Sequence, residues 1–203
     1  MAEKDKPQSS EAPILNIVGK LVALGPLRED LLPVYGRWIN DFATIRMLGL
    51  PPRPVTAEKE RDWYEDRSKA ENDLMFTIYE RETLRPIGNT GLHGLDHRNR
   101  SASFGIFIGE PECRGKGYGT ETTRLMLDYA FTALGLHNVM PTVFEFNLAG
   151  TRLRFCKPGP RRRPSRCRRW ARGTPLGASF CIRGGAPPGI TPKALRAPPR
   201  RTR

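Results

Sequence analysis

Long apolar runs are missing from the 203-residue sequence: none approaches the ~20 residues that a membrane-spanning helix needs, so no membrane partner is expected. The first residues, from Met1 through Lys6 to Pro7, are charged and lack the apolar stretch of a secretory signal, which makes a cytoplasmic protein the default expectation. Cysteine is scarce. Cys113, Cys156, Cys167 and Cys181 show no C-x-x-C spacing, which argues against a disulfide scaffold or a zinc site. The three histidines, His93, His97 and His137, have no ligand spacing with one another or with a cysteine, so no metal is expected. No tyrosine follows Tyr129, and no acidic residue occurs anywhere in 151–203.

That last absence explains the net charge of +13. Residues 151–203 hold 14 Arg and 2 Lys without an acid, leaving 18 basic and 21 acidic side chains in 1–150. The body is therefore mildly acidic, and any charge-based argument about partners applies to the tail alone.

The chain divides into a polar leader over 1–13, a patterned region over 14–150 and a basic Arg/Pro-rich tail over 151–203, with leader and tail expected to be disordered. Within the patterned region a strand is expected over Lys20–Leu24. Leu31, Leu32, Tyr35, Trp38 and Ile39 then form a helical stripe, which tolerates Pro33 only in its first turn. Pro51, Pro52 and Pro54 end anything helical before them, and Thr56 followed by Glu58 and Glu60 predicts a capped helix over about 57–69. Leu74–Tyr79 and Ile87–Leu95 read as a hairpin, Ala102–Ile108 as a buried strand, and 119–134 as an amphipathic helix stopped by Gly135. Val139–Phe146 is the next strand, with Pro141 implying a bulge or an edge.

The chemically informative stretch runs from Ala102 to Thr120. Its core, Arg114-x-x-Gly117-x-Gly119, follows a strand and opens a helix. Glycines let backbone amides approach a pyrophosphate, and the helix N-terminus adds partial positive charge. Arg114 and Lys116 can add charge-assisted contacts to phosphate. The plain alternative is an ordinary tight turn into a helix.

This strand–loop–helix resembles the acetyl-CoA-binding motif of the GNAT superfamily, in the branch that acetylates ribosomal-protein N-termini and polyamines. The order of elements over 14–150 is similar, as are the Trp38–Asp41 segment and the Asn147–Gly150 turn. The resemblance implies an α+β fold: a mixed, mostly antiparallel central sheet flanked by helices (the acyl-CoA N-acyltransferase fold). It implies acetyl-CoA as cosubstrate and a primary amine as acceptor, whether a protein N-terminus, a polyamine or another small amine. The pantetheine arm would lie along the backbone of Ile106, Phe107 and Ile108. The pyrophosphate would rest on the amides of Arg114, Gly115, Lys116, Gly117, Tyr118, Gly119 and Thr120, and Asn147 would be a further contact.

The sequence departs from that pattern. Ser103 stands where the branch often has a glutamate base, so His93, Asp96 and Glu80 are candidates beside it. The tyrosine that would protonate the leaving thiolate is missing after Asn147, and the closing hairpin has no counterpart. An acetyltransferase is thus expected, with a CoA-binding but inactive chain as one alternative. The tail has two readings. One is a nucleic-acid arm, with Arg161–Arg163, Arg166, Arg168 and Arg169 on phosphates and Trp170 stacking on a base. The other, favoured by the Arg/Pro/Gly/Ala composition, is a GC-rich gene read in a shifted frame.

Overall fold

The computed structural model describes residues 12–46, 48, 51–143, 147, 178–179 and 182–183. A short hairpin opens the chain, β1 (Ile17–Val18) and β2 (Val22–Pro26). Helix α1 (Leu32–Asn40) follows a 3-10 turn at Glu29–Leu31, and Pro33 falls in its first turn, where no N–H is required. A five-residue helix, α2 (Phe42–Arg46), was not readable from the pattern. Helix α3 (Ala57–Lys69) starts where the sequence predicts it, with the Thr56 hydroxyl accepting the Lys59 amide.

Strands β3 (Leu74–Glu80), β4 (Pro86–Asp96) and β5 (Ser101–Ile108) form an antiparallel meander. Helix α4 (Tyr118–Asp128) continues through a wider turn over Tyr129–Ala133, and Gly135 at φ 63° ends it. Strand β6 (Asn138–Val143) then pairs in parallel with β5. The sheet order is β1-β2-β3-β4-β5-β6, and β5–β6 is its one parallel pairing among the described strands. This is the mixed, mostly antiparallel sheet that the sequence implies.

Beyond β6, two short strands occupy its outer edge: β7 (Ala178–Ser179) on Val143 and Thr142, and β8 (Ile182–Arg183) on Val139 and Asn138. Their antiparallel registers are continuous with each other. The sequence pattern offered no strand there, since two-residue pairings leave no period to read. A closing hairpin is not among the described residues, and the rest of the leader and tail lies outside them, together with the nucleic-acid reading of the tail.

The sheet separates two apolar layers. On one face α4 packs Met126 and Ala130 against Val22, Leu24, Phe76, Ile78, Leu92, Ala102 and Phe104. On the other, α1 lays Leu31, Tyr35 and Trp38 over Tyr79, with Trp63 and Phe107 beside them. Trp38 meets Phe107 edge-on with ring centres 6.0 Å apart and Trp63 meets Tyr35 edge-on at 6.3 Å, so Trp38 and Trp63 serve as packing.

Candidate functional site

Between β5 and α4 the chain makes a 3-10 turn, Pro111–Cys113, and then passes through Gly115 at φ 76° and Gly117 at φ 89°. These are left-handed conformations that side chains with a Cβ rarely adopt, which is why glycine recurs here. Gly117 caps α4 without any side-chain hydrogen bond. The amides of Gly115, Lys116, Gly117, Tyr118, Gly119 and Thr120 take part in none of the hydrogen bonds formed among the described residues. A side-chain carbon added at Gly115 or Gly119 would meet nothing within 4 Å. Six consecutive donors without a partner among the described residues, at a helix N-terminus and beside open space, form a cradle of the kind suited to receive an anion.

Arg114 sits differently from the expectation. Its amide donates to the Pro111 carbonyl at 3.1 Å, and its guanidinium reaches the Thr44 hydroxyl at 2.6 Å and the Ile108 carbonyl at 3.1 Å. It fastens the loop to α2 and to the end of β5, so its side chain is already engaged by the protein rather than directed to a phosphate. Lys116 keeps an exposed side chain on the cradle.

Three carboxylates hold the cradle in place. Glu121, in the first turn of α4, accepts the amides of Lys20, Leu21 and Val22 at 2.9, 2.6 and 3.0 Å. Glu110, buried ahead of the 3-10 turn, accepts Trp38 Nε1 at 2.9 Å and Arg85 at 2.9 Å, with Arg37 on the same oxygen as Trp38. Glu80 accepts the Tyr118 hydroxyl and, at 2.7 Å, that of Thr83. The Glu80 carboxyl is thereby held below its usual range and the Tyr118 phenol is pushed up to about 12. Glu80 is therefore occupied at the cradle end of β3, away from the other base candidates.

The β5–β6 ladder runs from Ser101 opposite Asn138 to Phe104 opposite Pro141 and stops at that residue, which has no N–H. From Gly105 to Ile108, β5 has no partner on that side among the described residues. Of the three residues expected to face pantetheine there, Ile106 and Ile108 turn their side chains toward α4, and Phe107 turns toward Trp38. Phe107 is paired through its backbone with Asn89 on β4, and the Ile108 carbonyl already accepts from Arg114, so the backbone groups of Ile106 and the Ile108 N–H remain on the open side. Asn147 lies half-buried beyond β6, between segments outside the described residues.

His93 and Ser103 are direct cross-strand partners, as are Gly91 and Gly105. All four share the face away from α4. The His93 ring lies over the glycine pair: Nε2 is 3.2 Å from where a Gly105 Cβ would stand, and Cε1 3.4 Å from that of Gly91. Its Nδ1 is 3.8 Å from Asp73 Oδ2. Burial pushes the imidazole below its usual pKa, a pull that Asp73 opposes and Arg67 reinforces. Asp96 is engaged in its own turn, accepting the Asn99 amide at 2.7 Å, which leaves it an unsuitable base. Burial, helped by Glu112, raises the Cys113 thiol above its usual range and so disfavours the thiolate.

Sequence reasoning missed Asp73 and Glu121, which act on residues distant in sequence. Glycines inside strands were the available signal for the His93 surroundings, because such glycines often mark close approach. Among the described residues no helix is long and apolar enough to cross a membrane.

Residues 22–153 match the acetyltransferase (GNAT) domain family. The human alpha/beta-tubulin-N-acetyltransferase 9 is 29% identical over 136 residues, 59% of this chain and 63% of that protein. The Drosophila melanogaster protein of the same name is 33% identical over 129 residues, 56% of this chain and 62% of its own. The chain thus spans less than two-thirds of these relatives. In fold, it resembles the spermidine N-acetyltransferase of Vibrio cholerae, solved with CoA and spermine: TM-score 0.65, 21% identity, 80% of this chain and 95% of that one.

Proposed function

Since the chain belongs to the acetyltransferase (GNAT) family, we propose that it transfers the acetyl group of acetyl-CoA to a primary amine by direct attack on the thioester. One observation carries this reading: six unpaired amides, Gly115 to Thr120, at the mouth of α4, adjoining the β5 edge that β6 leaves unpaired. The residues fit the cosubstrate. The amides match a pyrophosphate, the open space at Gly115 and Gly119 admits it, and Lys116 adds positive charge.

Bound acetyl-CoA supplies an acyl group already activated as a thioester, so no protein nucleophile is needed. The chain's own task is positioning and proton handling. The free edge at Ile106 and Ile108 orients the pantetheine arm as an added strand would be oriented, and a backbone N–H there stabilises the oxyanion. The acceptor must reach this point from the face bearing His93 and Ser103. Its class is narrowed by analogy alone to the substrates named for the relatives, tubulin or a polyamine.

Isothermal titration of the full chain with CoA tests the reading. Saturable one-to-one binding supports it; folded protein that binds no CoA overturns it.

A further inference from the structure

Resting on that acetyl-transfer reading, we infer that His93 is the general base of the reaction, acting through Nε2, and that Asp73 is the residue that positions it. Three independent features of the site lead there.

The first is placement. The β5–β6 ladder ends at Phe104 opposite Pro141, so the next residue, Gly105, marks where the sheet opens. The imidazole lies over that residue, with Nε2 3.2 Å from the absent Cβ. The ring occupies a depression formed by the cross-strand pair of Gly91 and Gly105. Any side chain at Gly105 would fill the space that brings Nε2 over the opening. Ser103, paired with His93, is short and exposed, so it leaves the approach clear.

The second is orientation. Asp73 is fixed by the Gly94 amide at 2.8 Å and by the Arg67 guanidinium. The ladder between β4 and β5 is irregular from His93 to Asp96, and Gly94 takes φ 58° within that irregularity. The bulge turns the Gly94 amide onto Asp73 and the His93 ring over the glycine pair. A carboxylate facing Nδ1 favours the tautomer protonated there, which leaves the Nε2 lone pair directed to the opening.

The third is charge state. The imidazole is half-buried, and the charged groups facing it are Asp73, ahead of β3, and Arg67, on α3. Their influences oppose each other while burial disfavours the cation, so the ring is neutral near pH 7 and able to accept a proton.

In the step itself the amine nitrogen bonds to the acetyl carbon, and one N–H proton passes to His93 Nε2. The carbon–sulfur bond then breaks, and the same proton passes to the departing thiolate. The products are the amide and CoA thiol, and the imidazole returns to its starting state. A single group on this face thereby serves both transfers, with no second acid required.

The test combines spectroscopy with turnover on the full chain. Nitrogen-15 NMR of the imidazoles is expected to show His93 protonated on Nδ1, titrating below 6.5, with Nε2 shifting when CoA is added. Asp73→Asn is expected to lower that titration point further and weaken the tautomer preference. With acetyl-CoA and spermidine as probes, His93→Gln is expected to bind CoA as the wild type does but lose about 10²-fold or more in kcat, together with the acid limb of the kcat/KM profile. Gly105→Ala, which displaces the ring, is expected to lower kcat in the same direction. A His93 protonated on Nε2, or a His93→Gln enzyme within about threefold of wild type with an unchanged pH profile, overturns the assignment while leaving acetyl transfer intact. Absence of CoA binding by the wild type overturns acetyl transfer, and this assignment with it. If spermidine is not turned over, the tautomer decides.

Discussion

The Glu121 carboxylate accepts the Leu21 amide at 2.6 Å, joining the first turn of the cradle helix to the hairpin at the far edge of the sheet. The same carboxylate takes the neighbouring amides of Lys20 and Val22, so one side chain satisfies three donors. Glu121→Ala leaves all three to water and releases α4 from β2. The expected outcome is a loss of about 1–3 kcal/mol in urea denaturation, with CoA affinity weakened through displacement of the cradle.

Gly117 and Gly119 separate the two uses of glycine in the cradle. Gly117 sits at φ 89°, so Gly117→Ala is expected to cost about 1–2 kcal/mol of stability. Gly119 lies inside α4, and a Cβ there meets nothing within 4 Å. Gly119→Ala is therefore expected to keep or slightly raise the melting temperature while lowering CoA affinity about tenfold, since the new methyl occupies the approach of the diphosphate. Paired thermal melts and titrations of the two variants distinguish these effects.

Glu110 holds α1 to the loop that leads into the cradle. It is 6% exposed and accepts Trp38 Nε1 together with Arg37 and Arg85. Glu110→Ala strands a buried indole N–H and is expected to lose about 2–4 kcal/mol in chemical denaturation. Arg37, whose side chain is 64% exposed, contributes mainly at the surface, and Arg37→Gln is expected to cost less than about 1 kcal/mol.

Glu60 presents the opposite case. It is buried on α3, and among the described residues no donor reaches its carboxylate. Burial raises its pKa above 4.5, so the stability linked to this group is fully present below that pH and lost as pH rises through the folded-state value. Glu60→Gln is expected to raise the melting temperature at pH 7, by about 2–4 °C for each kcal/mol regained. The advantage should disappear near pH 4. A melt series across that window checks both the sign and the pH dependence.

Much of this architecture was legible in the sequence where side chains follow a period. The stripe from Leu31 to Ile39 and the Thr56 cap placed α1 and α3, and short apolar runs bounded by polar turns placed β3 to β5. The glycine-bearing loop announced the cradle through the backbone conformations that Gly115 and Gly117 adopt. What could not be read were contacts between residues far apart in the chain. Nothing local marks Glu121 as the acceptor for Lys20 to Val22, or Arg114 as the donor to Thr44. Glu80 looked available as a base until Tyr118, 38 residues later, was found on it. The placement of His93 depends on a cross-strand register and on Asp73, neither of which a single strand reveals.

The central claim is that the unpaired amides from Gly115 to Thr120 receive the diphosphate of CoA. Amide chemical shifts of the full chain, followed as CoA is added, test it most directly. The account predicts that those six resonances move most, saturating at one equivalent, while Arg114, whose amide is already bonded to Pro111, moves less. Saturation with CoA that leaves all six unmoved, or shifts centred elsewhere on the sheet, would contradict it.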